Sequence, residues 1–532
     1  QNYNYYEKSY NKLIGYDVKF SVVSALVAYS TLVCLNTILI SYTCTIFSFL
    51  SNKRTRKVHH NMNSDIHYRK FIFPILIGII IWLLTPIRPE GLDVGAWHMF
   101  AIFVATIIGC ITQPLPIGAV AMIGFTLAVL TQTVKIDTAV SGFGNSSIWL
   151  IAMAFFISRG FVKTGLGRRI ALQFVKLFGK KTLGLGYSLI GVDLILAPAT
   201  PSNTARAGGI MFPIINALSR SFGSKPEDGT QRKMGGFLIF TEFHGNLITA
   251  AMFLTAMAGN PLAQSLAKHQ GVDITWMQWF IAALIPGIIS LILVPLIIYK
   301  MYPPEIKETA NAKSWAQNEL KDMGKMATSE KFMVSIFLVA LALWVLGSTL
   351  NINATLTAFI ALSLLLITGV LTWSDVLKET GAWNTLVWFS ILVMMANQLN
   401  ELGFIPWLSK SISGSLGGLS WPIVLVLLIL FYFYSHYLFA SSTAHVSAMY
   451  SALLGVAIAT GAPPLFSALM LGFFGNLMAS TTHYSSGPAP ILYSAGYVSQ
   501  NRWWTMNAVL AIFYFIVWLG IGSLWMKLIG LM

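Results

Sequence analysis

The chain has 532 residues, of which 56% are hydrophobic and only 10% are charged, with a mean hydropathy of +0.69. Soluble domains carry about 25% charged residues, so this composition excludes a soluble globular protein. Apolar runs of about 20 residues, long enough to cross hydrocarbon, recur along the chain. They predict an all-α polytopic membrane protein and not a transmembrane barrel, which would show short alternating segments.

The net charge of +15 does not indicate binding to nucleic acid. The basic residues lie in loops between apolar runs, where positive charge sets membrane orientation. Attraction of anionic substrates is a weaker explanation of the same charge.

The first 61 residues differ from the rest of the chain. An apolar run at 21–50 is followed by a basic cluster at 53–57, and Met62 precedes a short polar stretch and then a further apolar run. We expect residues 1–61 to be an N-terminal extension with one apolar segment, and the core to begin near residue 62.

Eleven membrane spans are predicted. They form a first half at 62–299 and a second half at 332–532, joined by a cytoplasmic linker at 300–331. The spans lie at about 70–87, 96–112, 115–132, 147–163, 235–258, 276–299, 332–350, 353–371, 384–402, 466–480 and 505–530.

Two further apolar stretches, 184–217 and 421–456, carry a polar cluster at mid-length, at Ser202–Thr204 and Ser441–Thr443. Irregular backbone at membrane depth persists only where protein or a water-filled cavity satisfies it. We therefore predict two re-entrant hairpins with tips at these clusters. The alternative is a pair of ordinary spans with a polar kink, but the matched second occurrence favours hairpins.

Each hairpin is followed by a second polar interruption that opens with the same triplet, Gly245–Leu247 and Gly475–Leu477. The span before each hairpin ends at a glycine, Gly165 or Gly403. This recurring order predicts an internal duplication, with the substrate site between the duplicates.

The segment 480–490 is the least helix-like of the apolar regions. Nine of its eleven residues are polar, Gly or Pro. Such a segment is a prime place for substrate contact, because unwound backbone near the bilayer midplane is typical of transporter binding sites.

Charge sets the predicted orientation. Clusters of Lys and Arg at 163–181, 220–233 and 300–331 fall on one side of the predicted spans, which is then the cytoplasmic side. The first hairpin would enter from the cytoplasm and the second from outside, so the duplicates are predicted to be inverted.

Basic residues stand at equivalent places in the two hairpins, since Arg206 follows Thr204 by two residues and His445 follows Thr443 by two. Ionisable side chains at membrane depth are functional candidates, and with His483 these could face a dianion. The alternatives are an ion pair of Arg206 with Asp193 or Glu242, and hydrogen-bonded packing of the histidines. Glu242 and His244 could form a proton-linked pair, although an internal salt bridge explains them more simply.

The predicted substrate contacts are the hydroxyl, amide, basic and Gly/Pro residues of the two tips and of the segments that follow them. They are Ser202, Asn203, Thr204, Arg206, Asn246, Ser441, Ser442, Thr443, His445, Thr482, His483, Ser485, Ser486, Gly487 and Pro488. No phosphate-cradling motif and no metal-spaced Cys/His set occurs in the sequence, so we predict no enzyme activity, no cofactor and no metal.

The phrases at 202–209 and 482–490 resemble the divalent anion:sodium symporter family, which includes citrate, succinate and sulfate carriers. The resemblance runs from about residue 70 to the end. Within the family, these phrases look like the branch of bacterial citrate/succinate and tartrate/succinate antiporters and plastid 2-oxoglutarate/malate translocators.

The resemblance implies a homodimer in membrane lipid. Each protomer would have a scaffold domain and a transport domain that moves as an elevator, with substrate between the hairpin tips and the unwound linkers. In sodium-coupled members both tips read Ser-Asn-Thr and help to hold sodium, whereas the second tip here has Ser442 in place of Asn. Arg206 and His445 could replace the cation, which favours obligate exchange.

The sequence therefore predicts a secondary active exchanger of di- or tricarboxylates. The alternatives are a sodium- or proton-coupled symporter of the same fold and, more remotely, a channel or a membrane-embedded enzyme. A bacterial inner (plasma) membrane is expected over a plastid envelope, with the N-terminus of the core in the cytoplasm, because no transit-like leader is evident before residue 62.

Overall fold

The computed structural model describes residues 68–415 and 418–532. The described residues 68–409 and 420–532 belong to one compact unit. Within the described ranges the chain is helical and forms no strand. The predicted extension at 1–61 lies outside the described residues.

The helices of the first half follow the predicted spans closely and add several shorter elements between them. They are Tyr68–Leu83, Val94–Thr112, Ile117–Leu130, Ile136–Ser141, Ser146–Thr164, Leu166–Phe178, Thr182–Leu196, Phe212–Ser221, Gly235–Met252, Gly259–Lys268 and Trp276–Met301. A π-helical segment, Ala205–Met211, leads into Phe212–Ser221.

The linker and the second half contain the remaining α-helices. They are Ala310–Asp322, Thr328–Leu350, Ala354–Ile367, Trp373–Lys378, Thr380–Glu401, Phe404–Ser415, Trp421–Ser435, Ser442–Ala459, Pro464–Leu477, Pro488–Ser494, Gln500–Tyr514 and Gly522–Leu528. A second π-helical segment, Phe515–Ile521, joins the last two.

Eight helices in the described ranges are long and apolar enough to cross a membrane. Five of them correspond to predicted spans, and the other three are hairpin arms: Thr182–Ala199, Trp421–Leu438 and Ser442–Ala459. This establishes an integral membrane protein with a helical fold.

The two polar clusters break their helices as predicted. Extended backbone at 200–202 and 439–441 separates the arms. Thirteen helical residues would rise about 20 Å, yet Arg206 Nε lies 2.9 Å from Asp193 Oδ1 across the first break. Ser435 Oγ likewise lies 3.1 Å from His445 Nε2 across the second break. The chain therefore turns back at each cluster, and a simple kink is excluded.

We call Thr182–Ser221 the first hairpin and Trp421–Ala459 the second hairpin. Serine caps the helix after each break. Ser202 Oγ accepts a hydrogen bond from Ala205 N at 3.1 Å, and Ser441 Oγ accepts one from Ala444 N at 3.3 Å. Side-chain oxygens satisfy the otherwise unpaired N–H groups of a helix start in this way.

The Gly-Asn-Leu triplets were wrongly placed as breaks. Both lie inside continuous helices, Gly235–Met252 and Pro464–Leu477, and the helices end only after the triplets. The glycines serve close packing, because a Cβ on Gly245 would lie 2.6 Å from Ile190 of the first hairpin, and one on Gly475 would lie 3.2 Å from Val446 of the second.

The actual interruptions follow these helices. We call residues 253–258 the first linker and residues 481–487 the second linker. The predicted span at 235–258 therefore ends six residues early, at Met252. The sequence interpretation treated polar residues as helix breakers, but a polar residue inside a buried helix can face another helix and hydrogen-bond to it.

The three basic segments, 163–181, 220–233 and 300–331, lie together on one side of the protein. Thr309 N donates to Lys180 O at 2.8 Å, and Ile306 N donates to Lys233 O at 2.9 Å. Arg169 pairs with Glu330 at 2.6 Å. The interhelical segment 300–331 is thus a folded layer that contains the helix Ala310–Asp322 and is held to both neighbouring basic segments.

The order of elements is the same in the two halves. Each half has a long helix that ends at a glycine with positive φ, Gly165 or Gly403. An amphipathic helix, a hairpin, a buried helix, an unwound linker, a short helix and a long final helix follow in that order.

Candidate functional site

The first tip presents the Thr204 hydroxyl beside residues that are held in place by hydrogen bonds. Asn203 Oδ1 accepts from Thr204 N at 3.0 Å, and the Asn203 carbonyl accepts from Asn246 Nδ2 at 3.3 Å. Thr204 is half-buried, and its hydroxyl makes no hydrogen bond with any described residue. The tip is therefore held by its neighbours while Thr204 remains available to a ligand.

The second tip has the same arrangement with different residues. Ser442 Oγ donates to Ser485 O at 3.3 Å, which fixes the tip to the second linker. Thr443 is half-buried, and within the described part of the chain its hydroxyl is also without a hydrogen bond. Thr204 and Thr443 are thus equivalent in position and in availability.

The second linker contacts both tips. Gly487 is exposed and adjoins Thr204 so closely that a Cβ at this position would collide with Thr204 Oγ1. Two residues earlier, the Ser485 carbonyl accepts the hydrogen bond from Ser442. Both tips therefore adjoin one unwound segment, the second linker.

The first linker contacts the first hairpin just before and just after its tip. Thr255 Oγ1 donates to Pro198 O at 2.5 Å, and the Ala256 carbonyl accepts from Arg206 Nη1 at 2.7 Å. Just after this linker, Asn260 Oδ1 accepts from Asn476 Nδ2 at 2.7 Å. Each unwound linker is thus tied to hairpin residues, and the two halves meet at the asparagine pair.

The short helix after each linker packs on the hairpin of the opposite half. A Cβ on Gly208 of the first hairpin would lie 2.8 Å from Ile491, in the helix after the second linker. Gln270 Nε2, beyond the helix after the first linker, donates to Ser451 O of the second hairpin at 2.7 Å. The two halves are therefore interlocked around the tips.

Arg206 was predicted to contact substrate, and the structure assigns it to internal bonds. Its side chain is 0% exposed and pairs with Asp193 at 2.9 Å. Nη1 donates to Thr200 O at 2.5 Å and to Ala256 O at 2.7 Å. This is the ion pair that the sequence left as an alternative, because a buried guanidinium requires an anion and several acceptors. Arg206 thus links the first break to the first linker.

His445 is also internal, with a side chain that is 0% exposed. Its Nδ1 lies 2.9 Å from Nδ1 of His436, and its Nε2 lies 3.1 Å from Ser435 Oγ and 3.0 Å from Met449 Sδ. Direct substrate contact is not possible in this conformation, because other side chains surround the ring.

His436 contacts both His445 and the second linker, and the sequence interpretation did not single it out. Its Nε2 lies 2.8 Å from the Ser485 carbonyl, which only accepts, so Nε2 carries a proton. The neutral ring then accepts at Nδ1, and His445 Nδ1 is the donor of the pair. The contacts of His445 Nε2 fit either a neutral ring, with Ser435 as donor, or a protonated ring, with Ser435 and Met449 as acceptors. The two rings link the second hairpin to the second linker.

The other predicted residues lie in or beside the second linker. Thr482 Oγ1 accepts from Tyr484 N at 3.3 Å, and Ser485 Oγ donates to Thr482 O at 2.8 Å, so both shape the linker. His483 is half-buried, and its Nδ1 accepts from Trp504 Nε1 at 3.1 Å. Pro488 begins the helix Pro488–Ser494, where a missing N–H costs nothing.

Several buried polar atoms around the linkers lack a hydrogen-bond partner among the described residues. They include Asn246 Oδ1, Asn476 Oδ1, Ser480 Oγ, Thr481 Oγ1 and Ser486 Oγ. Buried polar groups are nearly always hydrogen-bonded, so this concentration of unsatisfied atoms is typical of a place that takes water or a polar ligand. Hydroxyl groups at such a place can donate to a carboxylate.

Comparison with known proteins agrees with this arrangement. The family described as the sodium:sulfate symporter transmembrane region matches residues 66–532. A putative malate transporter, YflS, of Bacillus subtilis is 57% identical over 86% of this chain and 96% of its own. Chloroplastic dicarboxylate transporter 1 of Spinacia oleracea is 50% identical over 86% of this chain and 80% of its own.

A more distant relative, the citrate/succinate antiporter of Escherichia coli, is 37% identical over 85% of this chain and 96% of its own. Among solved structures, the YdaH transporter of Alcanivorax borkumensis is similar with a TM-score of 0.51 and 13% identity, over 87% of this chain and 98% of that one. This last likeness concerns the fold alone.

The matched region contains both hairpins, both linkers and every predicted site residue. The named relatives are transporters and not enzymes. The chain belongs to the sodium:sulfate symporter family, the divalent anion:sodium symporters that its hairpin and linker phrases resemble.

Proposed function

We propose that this protein exchanges di- or tricarboxylates across a membrane. The observation that carries the proposal is the bridge made by Arg206 between the carbonyls of Thr200 and Ala256, in the hairpin break and the linker of the first half. A bound sodium ion would use such carbonyl oxygens. A guanidinium that already occupies them supplies a positive charge that does not dissociate.

The tips supply the proposed substrate contacts. One carboxylate would lie at Asn203–Thr204 and another at Ser442–Thr443, where each helix begins. A helix start adds partial positive charge from its unpaired N–H groups, and the hydroxyls of Thr204 and Thr443 are available as donors. Contact with Gly487 places the second linker beside the first of these positions.

Exchange is supported by the permanence of the Arg206–Asp193 pair. A sodium-coupled carrier can lose its cations with its substrate and return empty and balanced. Here no cation at these carbonyls leaves with the substrate, and the hydroxyl donors of the two tips are left without an acceptor when the anion leaves. Return without an anion is then disfavoured, and transport takes the form of one anion for another.

The repeated element order supports an inverted repeat that works as an elevator in a homodimer. In this proposal the hairpins, the linkers and their short helices form the moving transport domain, and the first hairpin opens to the cytoplasm. The clustering of the three basic segments on one side supports that orientation. We place the protein in a bacterial inner membrane.

The substrate class follows from the named relatives, which are a putative malate transporter, a dicarboxylate transporter and a citrate/succinate antiporter. Malate, succinate, citrate, tartrate and 2-oxoglutarate share at least two carboxylates, which the two tips would bind.

A sodium- or proton-coupled symporter of the same fold is the second candidate. It is favoured by Asn246 Oδ1 and Asn476 Oδ1, one in each half, which have no hydrogen-bond partner in the described part of the chain, because amide oxygens can ligate a cation. The two candidates differ in whether transport requires an ion gradient.

Counterflow in proteoliposomes distinguishes them. Vesicles loaded with unlabelled malate should accumulate labelled malate at the same rate in sodium and in choline buffers, and empty vesicles should accumulate almost none. A strict sodium requirement, or equal uptake by empty vesicles, would remove the exchange proposal. A panel of unlabelled competitors in the same assay would then rank the substrates.

A further inference from the structure

Glu242 is a buried carboxyl group that the proposed exchange does not use. It lies in the helix Gly235–Met252, every residue of which is buried. Its side chain is 0% exposed, and neither carboxyl oxygen has a hydrogen-bond partner among the described residues. An ionised carboxylate left alone in the interior of a membrane protein is costly, so this group has to be neutral or take up a cation.

The charged groups near Glu242 do not neutralise it. Asp193 and Arg206 are the charged groups that act on it electrostatically, and these two already pair with each other at 2.9 Å. Asp193 also accepts from Asn246 Nδ2 at 3.1 Å and from the Thr249 hydroxyl. One cation is thus shared with two carboxyl groups, which leaves Glu242 without a counter-charge.

The other helices packed against Gly235–Met252 add no acid or base near Glu242. Pro464–Leu477 has no ionisable side chain, and Trp276–Met301 has only Tyr299 and Lys300, near its end. Phe212–Ser221 has Arg220, which pairs with Glu227, and Pro488–Ser494 has Tyr493. On the same helix, His244 Nδ1 lies 2.8 Å from Tyr514 OH and Nε2 lies 3.0 Å from Asn507 Oδ1, so its ring has other partners.

Glu242 is connected to the first tip through its own helix. Glu242, Asn246 and Thr249 are spaced so that they share one helix face, and this face meets the first hairpin at Asp193. Asn246 Nδ2 donates to the Asn203 carbonyl at 3.3 Å, while Asn246 Oδ1 has no donor. A proton on Glu242 would give this face the donor that it lacks.

We propose that Glu242 is a proton-binding site coupled to the transport cycle, and that it carries one proton when the first tip is in the conformation described here. The protonation state of Glu242 affects the hydrogen bonds of Asn246. Asn246 in turn contacts Asn203, next to the proposed carboxylate position at Thr204. This inference rests on the proposed transport function and adds a proton to it.

The test uses full-length protein in proteoliposomes with equal pH on both sides and malate, which is fully ionised from about pH 7 to about pH 9. We expect exchange by the natural protein to fall with rising pH, approaching tenfold per pH unit once the site loses its proton. Glu242→Gln, which stays neutral, should give a flat profile. Glu379→Gln, at a half-buried carboxyl away from the tips, is the matched control and should keep the natural profile.

Infrared spectroscopy of purified protein tests the protonated carboxyl without transport. The C=O band of a buried carboxylic acid should be present in the natural protein and in Glu379→Gln, and lost in Glu242→Gln. This result would stand even if exchange itself failed, which separates this inference from the proposed function. A band that survives in Glu242→Gln would overturn it.

Two further outcomes bear on the proposal. If replacing sodium with choline slows the natural protein but not Glu242→Gln, the site takes sodium and the proton assignment is wrong.

Glu242→Met tests the neutral state independently, because a site that holds a neutral carboxyl should accept this apolar side chain and let the protein fold. Failure of both variants to fold at any pH would show that the site needs a negative charge.

Discussion

The two halves solve one structural problem with different chemistry. In the first half, Arg206 links the hairpin break to the linker through two carbonyls and is neutralised by Asp193. In the second half, His445 and His436 make the corresponding link to the Ser485 carbonyl without an acidic partner. The link in the first half is made by a side chain that is always positively charged. The link in the second half depends on which ring nitrogens of His445 and His436 carry protons.

This difference indicates that the hairpin of each half has to be connected to the linker of that half, and that more than one kind of side chain can make the connection. A guanidinium has to be paired when it is buried, so the first half also carries Asp193, Asn246 and Thr249 as a supporting set. Imidazole rings can be buried while neutral, so the second half needs only a hydroxyl, a thioether and a carbonyl.

The largest effect is expected where the charge is permanent. Arg206→Met leaves Asp193 ionised and unpaired, and should lower the free energy of unfolding by about 3–5 kcal/mol. His445→Leu, its counterpart, should cost only about 1–3 kcal/mol, because it leaves neutral groups unpaired. Thermal unfolding in detergent measures both variants.

Two controls sharpen this comparison. Arg206→Met combined with Asp193→Asn removes both charges and should recover much of the lost stability. Arg220→Gln breaks an exposed pair with Glu227 and should leave the stability close to that of the natural protein, because solvent screens such a pair. Equal losses for Arg206→Met and His445→Leu would contradict the distinction between the halves.

An intermediate effect is expected at the two available hydroxyls. Thr204→Ala and Thr443→Ala should each weaken substrate binding by about 1.5–3 kcal/mol, the contribution of a hydrogen bond to a charged group. Expression and oligomeric state should be unchanged, since neither hydroxyl bonds to a described residue. Counterflow rates over a range of malate concentrations provide the measurement.

Thr204→Ser and Thr443→Ser retain the hydroxyl and serve as controls, with transport close to that of the natural protein. Similar losses in the two alanine variants would indicate that the halves contribute equally to binding. Normal transport in both would remove the assignment of the tips as the substrate site.

The smallest effect is expected far from the tips. Asp375 pairs with Lys163 at 2.6 Å, and this bond, with those from Thr372, holds the pKa of the carboxyl below its usual range. A lowered folded-state pKa stabilises the protein above the ordinary carboxyl value of about 3.9 and loses that contribution as the pH falls further. Asp375→Asn should cost at most about 1 kcal/mol at neutral pH.

Thermal unfolding of this variant at about pH 7 and at about pH 3 measures the effect. The difference from the natural protein should shrink at the lower pH, because Asp375 takes up a proton in the unfolded chain there while Lys163 still keeps it ionised in the folded protein. Transport should be unchanged, because the pair lies outside both hairpins. A transport defect would show that peripheral ion pairs affect the tips.

The sequence predicted the hairpins well because their signal is local. A cluster such as Ser202–Thr204 inside an apolar run has no explanation as an ordinary span, and its second occurrence strengthened the inference. The helices on either side of the two clusters lie at Thr182–Ser221 and Trp421–Ala459, where the sequence predicted hairpins at 184–217 and 421–456.

The sequence could not reveal contacts between distant segments. Arg206 was predicted to contact substrate, but one of its acceptors, the Ala256 carbonyl, is 50 residues away. No local sequence pattern shows whether a guanidinium already has its hydrogen-bond acceptors within the protein. Asn246 was read as part of a break, because a polar side chain looks the same whether it interrupts a helix or faces a hairpin. His436 lacked any repeat counterpart that would have marked it.

The packing of the short helices Gly259–Lys268 and Pro488–Ser494 on the hairpin of the opposite half has a thermodynamic consequence. Since the helix after each linker rests on the opposite hairpin, the separation of the two tips is fixed by the protein and not by the ligand. In the proposed binding mode, an anion with two suitably spaced carboxylates binds by one end first, which places its second carboxylate at a high effective concentration beside the other tip. A monocarboxylate gains nothing from this geometry, so discrimination by charge number would follow from the distance between the tips alone.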